Sequence, residues 1–114
     1  MSISEAFTGT ATISTTEYSL VTNSTTLTTN TTRGVYQIYI DFSTMASGDE
    51  YLIQVKEKVI SAGTQRSIYT ATVEGAQSSP FVTPTLVFLH GWDVTLDLIT
   101  GTAKSISWSI RRVG

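Results

Sequence analysis

The single histidine, His90, is the residue on which any conventional nucleophilic catalysis in this chain would depend, because the sequence holds one histidine and no cysteine. A serine or threonine nucleophile needs a neighbouring base and a third group that orients that base. His90 falls between Phe88 and Trp92 on the apolar parity of its segment, which predicts burial with one hydrogen bond to the backbone. The sequence therefore predicts no catalytic residue and no enzyme.

The carboxylates offer no better metal site. Asp93 and Asp97 share one face of a predicted strand about 13 Å apart by strand rise, which is too wide for one ion on a straight strand. Asp49 and Glu50 follow Gly48, a pattern that fits a calcium-binding turn but is more typical of an ordinary exposed turn. No glycine-rich phosphate motif is present. We expect no metal and no cofactor.

Composition excludes several classes of partner. The net charge of -2 argues against nucleic acid, and the basic pair Arg111-Arg112 is typical of a solvated strand end. No segment approaches the roughly 18 apolar residues of a membrane span, and no basic start precedes an apolar run, so we expect an untargeted chain made in the cytoplasm. Charged residues make up 14%, against about 25% in ordinary domains, while 21 Thr and 14 Ser keep the surface polar. Such a surface favours association.

Apolar residues alternate with polar ones over most of the chain, which predicts strands and little or no helix. Short Gly- and Pro-containing breaks separate the runs, and the break at 61–64 predicts a hairpin. About eight strands predict an all-β, two-sheet antiparallel sandwich, jelly-roll-like, with a closed barrel as the alternative. Glu57 interrupts the apolar parity, and a bulge or a strand end is favoured over a buried carboxylate paired with an arginine.

The chain divides by composition near Arg33, within one compact domain. Residues 1–32 hold 12 of the 21 Thr and two charges, and are predicted as a Thr-rich extended N-terminal arm or as edge strands. Two strands are expected there, at 7–13 and 18–21, with 23–32 as a loop or arm. Residues 33–114 are predicted as the β-sandwich.

Five residues are the candidate partner-binding residues. Tyr39 is opposite in parity to the apolar side chains beside it, so its ring is predicted to face outward. Phe81 and Val82 are apolar residues inside the proline-containing connection 74–84, which is predicted to lie on the surface. The 86–98 run predicts one long strand or two strands joined at Gly91. Val87 and Leu89 make its first half apolar on both faces, so this half is either central in the sheet or covered by another subunit.

The C-terminal half carries a family resemblance. The stretches Phe81-Val82-Thr83-Pro84, His90-Gly91-Trp92-Asp93 and Ile106 to Arg112, with Gly48-Asp49-Glu50-Tyr51 earlier in the chain, resemble small virion proteins encoded among the head genes of tailed bacteriophages. The match covers residues 17 to 114 and is a pattern of strands and turns. It implies a capsid decoration or cement protein on the virion surface, bound to the major capsid protein and to copies of itself, with a trimer favoured. The resemblance carries over no catalytic residue.

Two functions follow as expectations. The first is a non-enzymatic structural protein that binds a viral shell in many copies, so that weak single contacts add up over the lattice. The alternative is a β-sandwich carbohydrate-binding or fibre-tip receptor-binding module that recognises a glycan through Tyr39 and neighbouring aromatic residues.

Overall fold

The computed structural model describes residues 2–114 and contains nine strands and no helix within that range. Among these residues there is accordingly no helix that is long and apolar enough to cross a membrane. The strands are β1 (Ile3–Ile13), β2 (Tyr18–Ser19), β3 (Gly34–Asp41), β4 (Glu50–Glu57), β5 (Arg66–Glu74), β6 (Phe81–Val82), β7 (Leu86–Phe88), β8 (Trp92–Thr100) and β9 (Lys104–Val113).

The strands form two antiparallel sheets that pack face to face. Sheet A has the order β1-β9-β3, and the short strands β6 and β7 pair with successive parts of the far edge of β3. Sheet B has the order β2-β8-β4-β5. The chain crosses between the sheets at most connections, and the hairpin β4–β5 stays within one sheet. This is the topology of a jelly roll, so the predicted two-sheet sandwich is confirmed.

The register of the strands defines two ends of the sandwich. Strand β4 runs from Glu50, opposite Thr100, to Glu57, opposite Trp92. In sheet A, Ile3 pairs with Val113, and the neighbouring Arg112 pairs with Tyr36. The Tyr36 hydroxyl and Trp92 Nε1 both donate to the Thr32 carbonyl, so Ile3 and Val113 lie at the same end of the sandwich as Trp92. We call the end with Glu57 the apolar end and the end with Glu50 the acidic end, for reasons given below.

Inward-facing residues of both sheets fill the core, as period-2 alternation requires. Near the apolar end, the fully buried Trp92 stacks on Phe88 with ring centroids 4.5 Å apart, and Tyr36 lies 4.6 Å from the same indole. Such aromatic pairs add about 0.5–1.5 kcal/mol each beyond the area that they bury. The cluster therefore ties β3, β7 and β8 together beneath the loops of this end.

Residues 2–32 pair with the rest of the sandwich over much of their length. Strand β1 pairs with β9 from Ile3 to Ile13, with a bulge between Glu5 and Phe7. The buried Leu20 follows β2, and its carbonyl accepts a hydrogen bond from Trp108 Nε1 at 2.9 Å. Farther on, Asn30 exchanges backbone hydrogen bonds with Trp92 at 2.8 and 2.9 Å. This segment lies along one side of the sandwich and returns to the apolar end before β3 begins.

The run from Leu86 to Leu98 is two strands in two different sheets. Strand β7 is an edge strand of sheet A that pairs with β3, and β8 is a central strand of sheet B. Between them the chain turns at Gly91, where an added Cβ would lie 2.5 Å from the Thr29 side chain. The expectation of a central strand at Val87 is therefore wrong, because β7 lies at the sheet edge. The predicted surface connection 74–84 also contains one short strand, β6.

Candidate functional surfaces

Exposed apolar side chains are concentrated at the apolar end. Of the nine large apolar residues that are exposed among residues 2–114, six lie at this end, on β1, on β7 or in the loops that meet there: Ile3, Leu27, Val59, Ile60, Val87 and Leu89. Val59 is 79% exposed and Val87 is 71% exposed. The acidic end holds one, Ile99. Isolated exposed apolar residues are ordinary, but a group of them at one end marks an interaction surface.

Part of this group forms a row across sheet A. Ile3 pairs with Val113, Val113 with Val35, and Val35 with Val87. Directly opposite residues in antiparallel strands point to the same face, so this row crosses four strands on the outer face of the sheet. Val35 is half-buried because its neighbours on both sides cover it, whereas Ile3 and Val87 stand at the two edges. The row presents β-branched methyl groups to the solvent.

The loops of the apolar end are held by one buried carboxylate. Glu57 is 7% exposed and accepts hydrogen bonds from the backbone amides of Leu89 at 2.6 Å and Gly91 at 2.9 Å, with His90 at 3.3 Å. Glu57 also accepts a hydrogen bond from the amide of the next residue, Lys58, at 3.1 Å. Glu57 is thus a strand end and a buried carboxylate, and its partners are backbone amides instead of the arginine considered from the sequence.

The two ends differ in charge as well as in apolar exposure. Four basic residues lie at the apolar end, on β5, β9 or the loops there: Arg33, Lys58, Arg66 and Arg112. Four acidic residues lie at the other end, where β3 and β5 finish and β4 begins: Asp41, Asp49, Glu50 and Glu74. Because β4 and β5 run between the ends, the sandwich is an electric dipole along its strands. A partner with an acidic rim would complement the basic residues of the apolar end.

Through its side chain, Asp49 joins two loops of the acidic end, the β3–β4 connection and the β8–β9 connection. It is 3% exposed, forms an ion pair with Lys104 at 2.8 Å, and accepts hydrogen bonds from the amides of Thr102 and Ala46 at 2.9 Å each. The Lys104 ammonium, followed by those two amides, lowers the pKa of Asp49 to about 2. The carboxylate considered as a calcium ligand from the sequence is therefore engaged by a lysine and by backbone amides.

The outer face of sheet A carries a groove between the two ends. Its volume is about 490 Å³, within the range of small-molecule sites. The floor comes from adjacent outward positions of β3 and β9, and one wall comes from the connection before β6. The principal side chains of the lining are Tyr39, Asp41, Ser107, Ser109, Arg111, Ser78, Ser79 and Pro80.

Tyr39 and Arg111 form a fixed pair in this groove. The guanidinium carbon lies 3.8 Å from the centroid of the Tyr39 ring, which is a close cation–π contact. Arg111 Nε donates to Ser109 Oγ at 3.2 Å, and that hydroxyl donates to Glu5. On the other side, the Tyr39 hydroxyl donates to Gln37 Oε1 at 3.2 Å. The orientation of both groups is therefore set by neighbouring side chains before any ligand arrives.

The N-terminal segment covers part of the outer face of sheet B, over β8. Asp93, on this face, is fully buried and accepts hydrogen bonds from Ser19 Oγ at 2.7 Å, the Thr28 amide at 3.1 Å and the Val94 amide at 2.8 Å. Desolvation raises its pKa despite these bonds. The coverage by residues 19–28 makes Asp93 a structural anchor.

Asp97 lies four residues further along β8, on the same face, and is half-buried. Burial raises its pKa, and the nearby negative charge of Glu17 raises it further. Glu17 itself is ion-paired with Lys56 at 2.7 Å and accepts a hydrogen bond from Thr95 Oγ1 at 2.6 Å. Among residues 2–114, no three carboxylate or histidine side chains converge on a point that could hold a metal ion.

The residues singled out from the sequence lie in three different places, two on the surface and one against the core. Val87 and Leu89 are exposed at the apolar end, and Tyr39 lines the groove with Val82 as its register partner in β6. Phe81 packs against Phe42 with ring centroids 6.3 Å apart, so its ring belongs mainly to the core. The structure does not bring these five residues into one site.

His90 was predicted from the sequence to be buried in the core. His90 is half-buried, in the turn whose amides bind Glu57. Arg111, Val59 and Ile60 were not selected as site residues. An arginine in a strand otherwise alternating with serine, and two adjacent apolar residues before a Gly-containing turn, were the available signals. Comparison with protein-family models, with curated proteins and with solved structures found no match.

Proposed function

We propose that the chain is a non-enzymatic structural protein of a virion, a capsid decoration or cement protein that docks on the major capsid protein of the head lattice by its apolar end. The single observation that carries the proposal is the concentration of six exposed apolar side chains at this end, beside four basic residues. The apolar side chains cost little to desolvate and stabilise a contact by burial of apolar area.

The charge of the apolar end favours a shell protein over a second copy as its occupant. Two apolar ends brought face to face would place Arg33, Lys58 and Arg66 of one copy near the same residues of the other. Like charges at that distance oppose association, whereas an acidic rim on a different protein would attract them. The jelly-roll architecture is compatible with the proposal, since viral capsid domains use it, but lectin domains use it as well.

Self-association, with a trimer favoured, is proposed to use the sheet edges. Strands β1 and β5 are the outermost full-length strands of their sheets, with 11 and 9 residues. An outermost strand offers backbone donors and acceptors to a strand of a neighbouring copy. Bulges near Ala6 in β1 and near Ser67 in β5 restrict such pairing to part of each edge.

Docking is tested by co-sedimentation with purified heads of the virus that encodes the chain. The double variant Ile60→Ser with Val87→Ser is expected to lose at least 10-fold in affinity, because both side chains are exposed at the apolar end. Ile99→Ser is the matched control, since Ile99 is 47% exposed at the acidic end. Equal binding by all three proteins, or no binding by the unmodified chain, would contradict the proposal. Light scattering on the free protein measures the number of copies per cluster.

A carbohydrate-binding or receptor-binding module is the second candidate, and one observation favours it. The groove beside Tyr39 is concave, carries several hydroxyl groups, and holds an aromatic ring and a charged pair in fixed positions. Polar groups that converge in a pocket of this size are typical of small-ligand sites. A glycan array tests this candidate, and saturable binding of any sugar in the groove would support it.

A further inference from the structure

We infer that the groove on the outer face of sheet A binds a saccharide that carries a carboxylate. The inference rests on the second candidate function and narrows its ligand. It depends on the arrangement of Arg111, Tyr39 and Asp41 along two paired strands, where Gln37 is opposite Arg111 and Asp41 is opposite Ser107. These outward positions form successive rows across the floor of the groove.

Arg111 supplies the anion-binding group. Its Nε is used by Ser109, and within residues 2–114 neither terminal nitrogen of the guanidinium has a hydrogen-bond acceptor or an ion-pair partner. A guanidinium fixed through Nε and stacked on a ring presents its terminal N–H groups as a fork that matches a carboxylate. The residue is exposed at the groove, so a ligand can reach it.

The position of Arg111 also argues against a neutral sugar as the preferred ligand. Carbohydrates commonly stack on an exposed aromatic face, but the guanidinium lies over the centre of the Tyr39 ring. One face of that ring is therefore already covered by a cation. The group that the groove presents at this point is a positive charge with directed donors, which selects a negatively charged substituent.

Asp41 defines the other part of the ligand. It is exposed, and hydrogen bonds from the side chain and backbone of Ser43 lower its pKa, so it is ionised at neutral pH. A carboxylate accepts hydrogen bonds from sugar hydroxyls, and the hydroxyls of Ser107 and Ser109 add donors and acceptors beside it. A phosphate dianion would be repelled by Asp41. The pair of opposite charges therefore fits a monoanion that also carries hydroxyl groups.

The spacing suits a single sugar ring. Tyr39 and Asp41 are two positions apart on β3, or about 7 Å by strand rise, and the guanidinium lies over Tyr39. The carboxylate of the ligand would bind Arg111, and its ring hydroxyls would lie toward Asp41, with Pro80 and Ser79 as the wall. Sugars with these features are uronic acids and sialic acids.

The test is a titration of the ¹⁵N-labelled protein with matched probes, glucuronic acid against glucose and sialyllactose against lactose. At least one acidic probe is expected to shift the amides of residues 39–41, 78–80 and 107–111, with its neutral counterpart at least 10-fold weaker. Arg111→Gln should weaken binding at least 10-fold, and Arg111→Lys should retain part of it. Arg66→Gln is the control, because Arg66 is equally exposed but starts β5 in the other sheet.

The outcomes separate this inference from the functions above. If neutral and acidic sugars bind the groove equally, or if Arg111→Gln leaves binding unchanged, the inference is wrong while the carbohydrate-binding candidate survives. If no probe shifts any groove amide at tens of millimolar, both the inference and that candidate fail. Neither result alters the docking proposal, because neither Ile60 nor Val87 lines the groove.

Discussion

The two ends of strand β4 each carry a buried carboxylate that holds loops together, but they use different partners. At the acidic end, Asp49 is neutralised by the Lys104 ammonium and by two backbone amides. At the apolar end, Glu57 is held by backbone amides, three of them in the turn before β8. Amides satisfy a carboxylate without consuming a cation. The basic residues of the apolar end are therefore left at the surface, where they can meet a partner.

The two carboxylates leave the two ends of the sandwich with different surfaces. At the acidic end, the ion pair with Asp49 neutralises the charge of Lys104. The surface there is polar apart from Ile99. The turn at the apolar end is fixed just as firmly, so Leu89 and its neighbours are presented on a rigid backbone. A preorganised surface loses less conformational entropy when it binds.

The largest effect is expected from Glu57→Ala. Removal of the carboxylate leaves the amides of Leu89 and Gly91 buried or half-buried without an acceptor, and each such group costs about 1–3 kcal/mol. We expect the free energy of unfolding to fall by about 3 kcal/mol in urea titrations, with faster amide exchange at 89–91. Glu74→Ala, an exposed acid on β5, is the control. A loss below about 0.5 kcal/mol would show that the amides find water or other acceptors.

A smaller, pH-dependent effect is expected from Asp49→Asn. The folded pKa of about 2 lies below the ordinary value of 3.8, so the stabilisation by Asp49 is present above pH 3.8 and is lost as the pH falls toward 2. The unmodified protein should lose stability relative to the variant over that window, measured by urea unfolding at pH 6, 4, 3 and 2. Glu74→Gln serves as the matched control at the same end. Parallel curves for the protein and Asp49→Asn would show that the ion pair does not stabilise the fold.

The smallest effect on stability is expected from Val87→Thr and Ile99→Thr, one exposed β-branched residue at each end. Both side chains are largely in solvent, so each change should alter the free energy of unfolding by no more than about 0.5 kcal/mol. Thermal unfolding of the two variants checks this. A large loss for Val87→Thr alone would mean that the apolar row across sheet A stabilises the fold and is not kept exposed for a partner.

Local alternation was sufficient to predict the strands whose two faces differ in polarity. Ile106, Trp108 and Ile110 alternate with serines and form the central part of β9, and the Gly-containing break at 61–64 is the predicted hairpin between β4 and β5. Parity left the 86–98 run open between one long strand and two strands joined at Gly91, and the structure has two, β7 and β8. Both faces of the first half are apolar, which describes an exposed edge as well as a buried centre. Burial in a second sheet, and not periodicity, distinguishes β7 from β8.

The candidate sites could be predicted only in part, because they depend on contacts distant in sequence. Tyr39 was selected from its parity, but the arginine over its ring comes from the register between β3 and β9. In the same way, nothing local links Glu57 to the amides of residues 89–91. The parity of one strand shows which way a side chain faces, and the pairing of strands decides what it meets.

The pairing of Ile3 with Val113 has a practical consequence for attaching cargo to this protein. The Gly114 amide donates to the Ser2 carbonyl at 2.8 Å, so both ends of the described chain lie side by side at the apolar end. A peptide or fluorescent tag fused at either terminus would project from the surface that we propose to dock. Insertion in the exposed turn at Ser47 and Gly48 would place the same cargo at the acidic end, away from that surface.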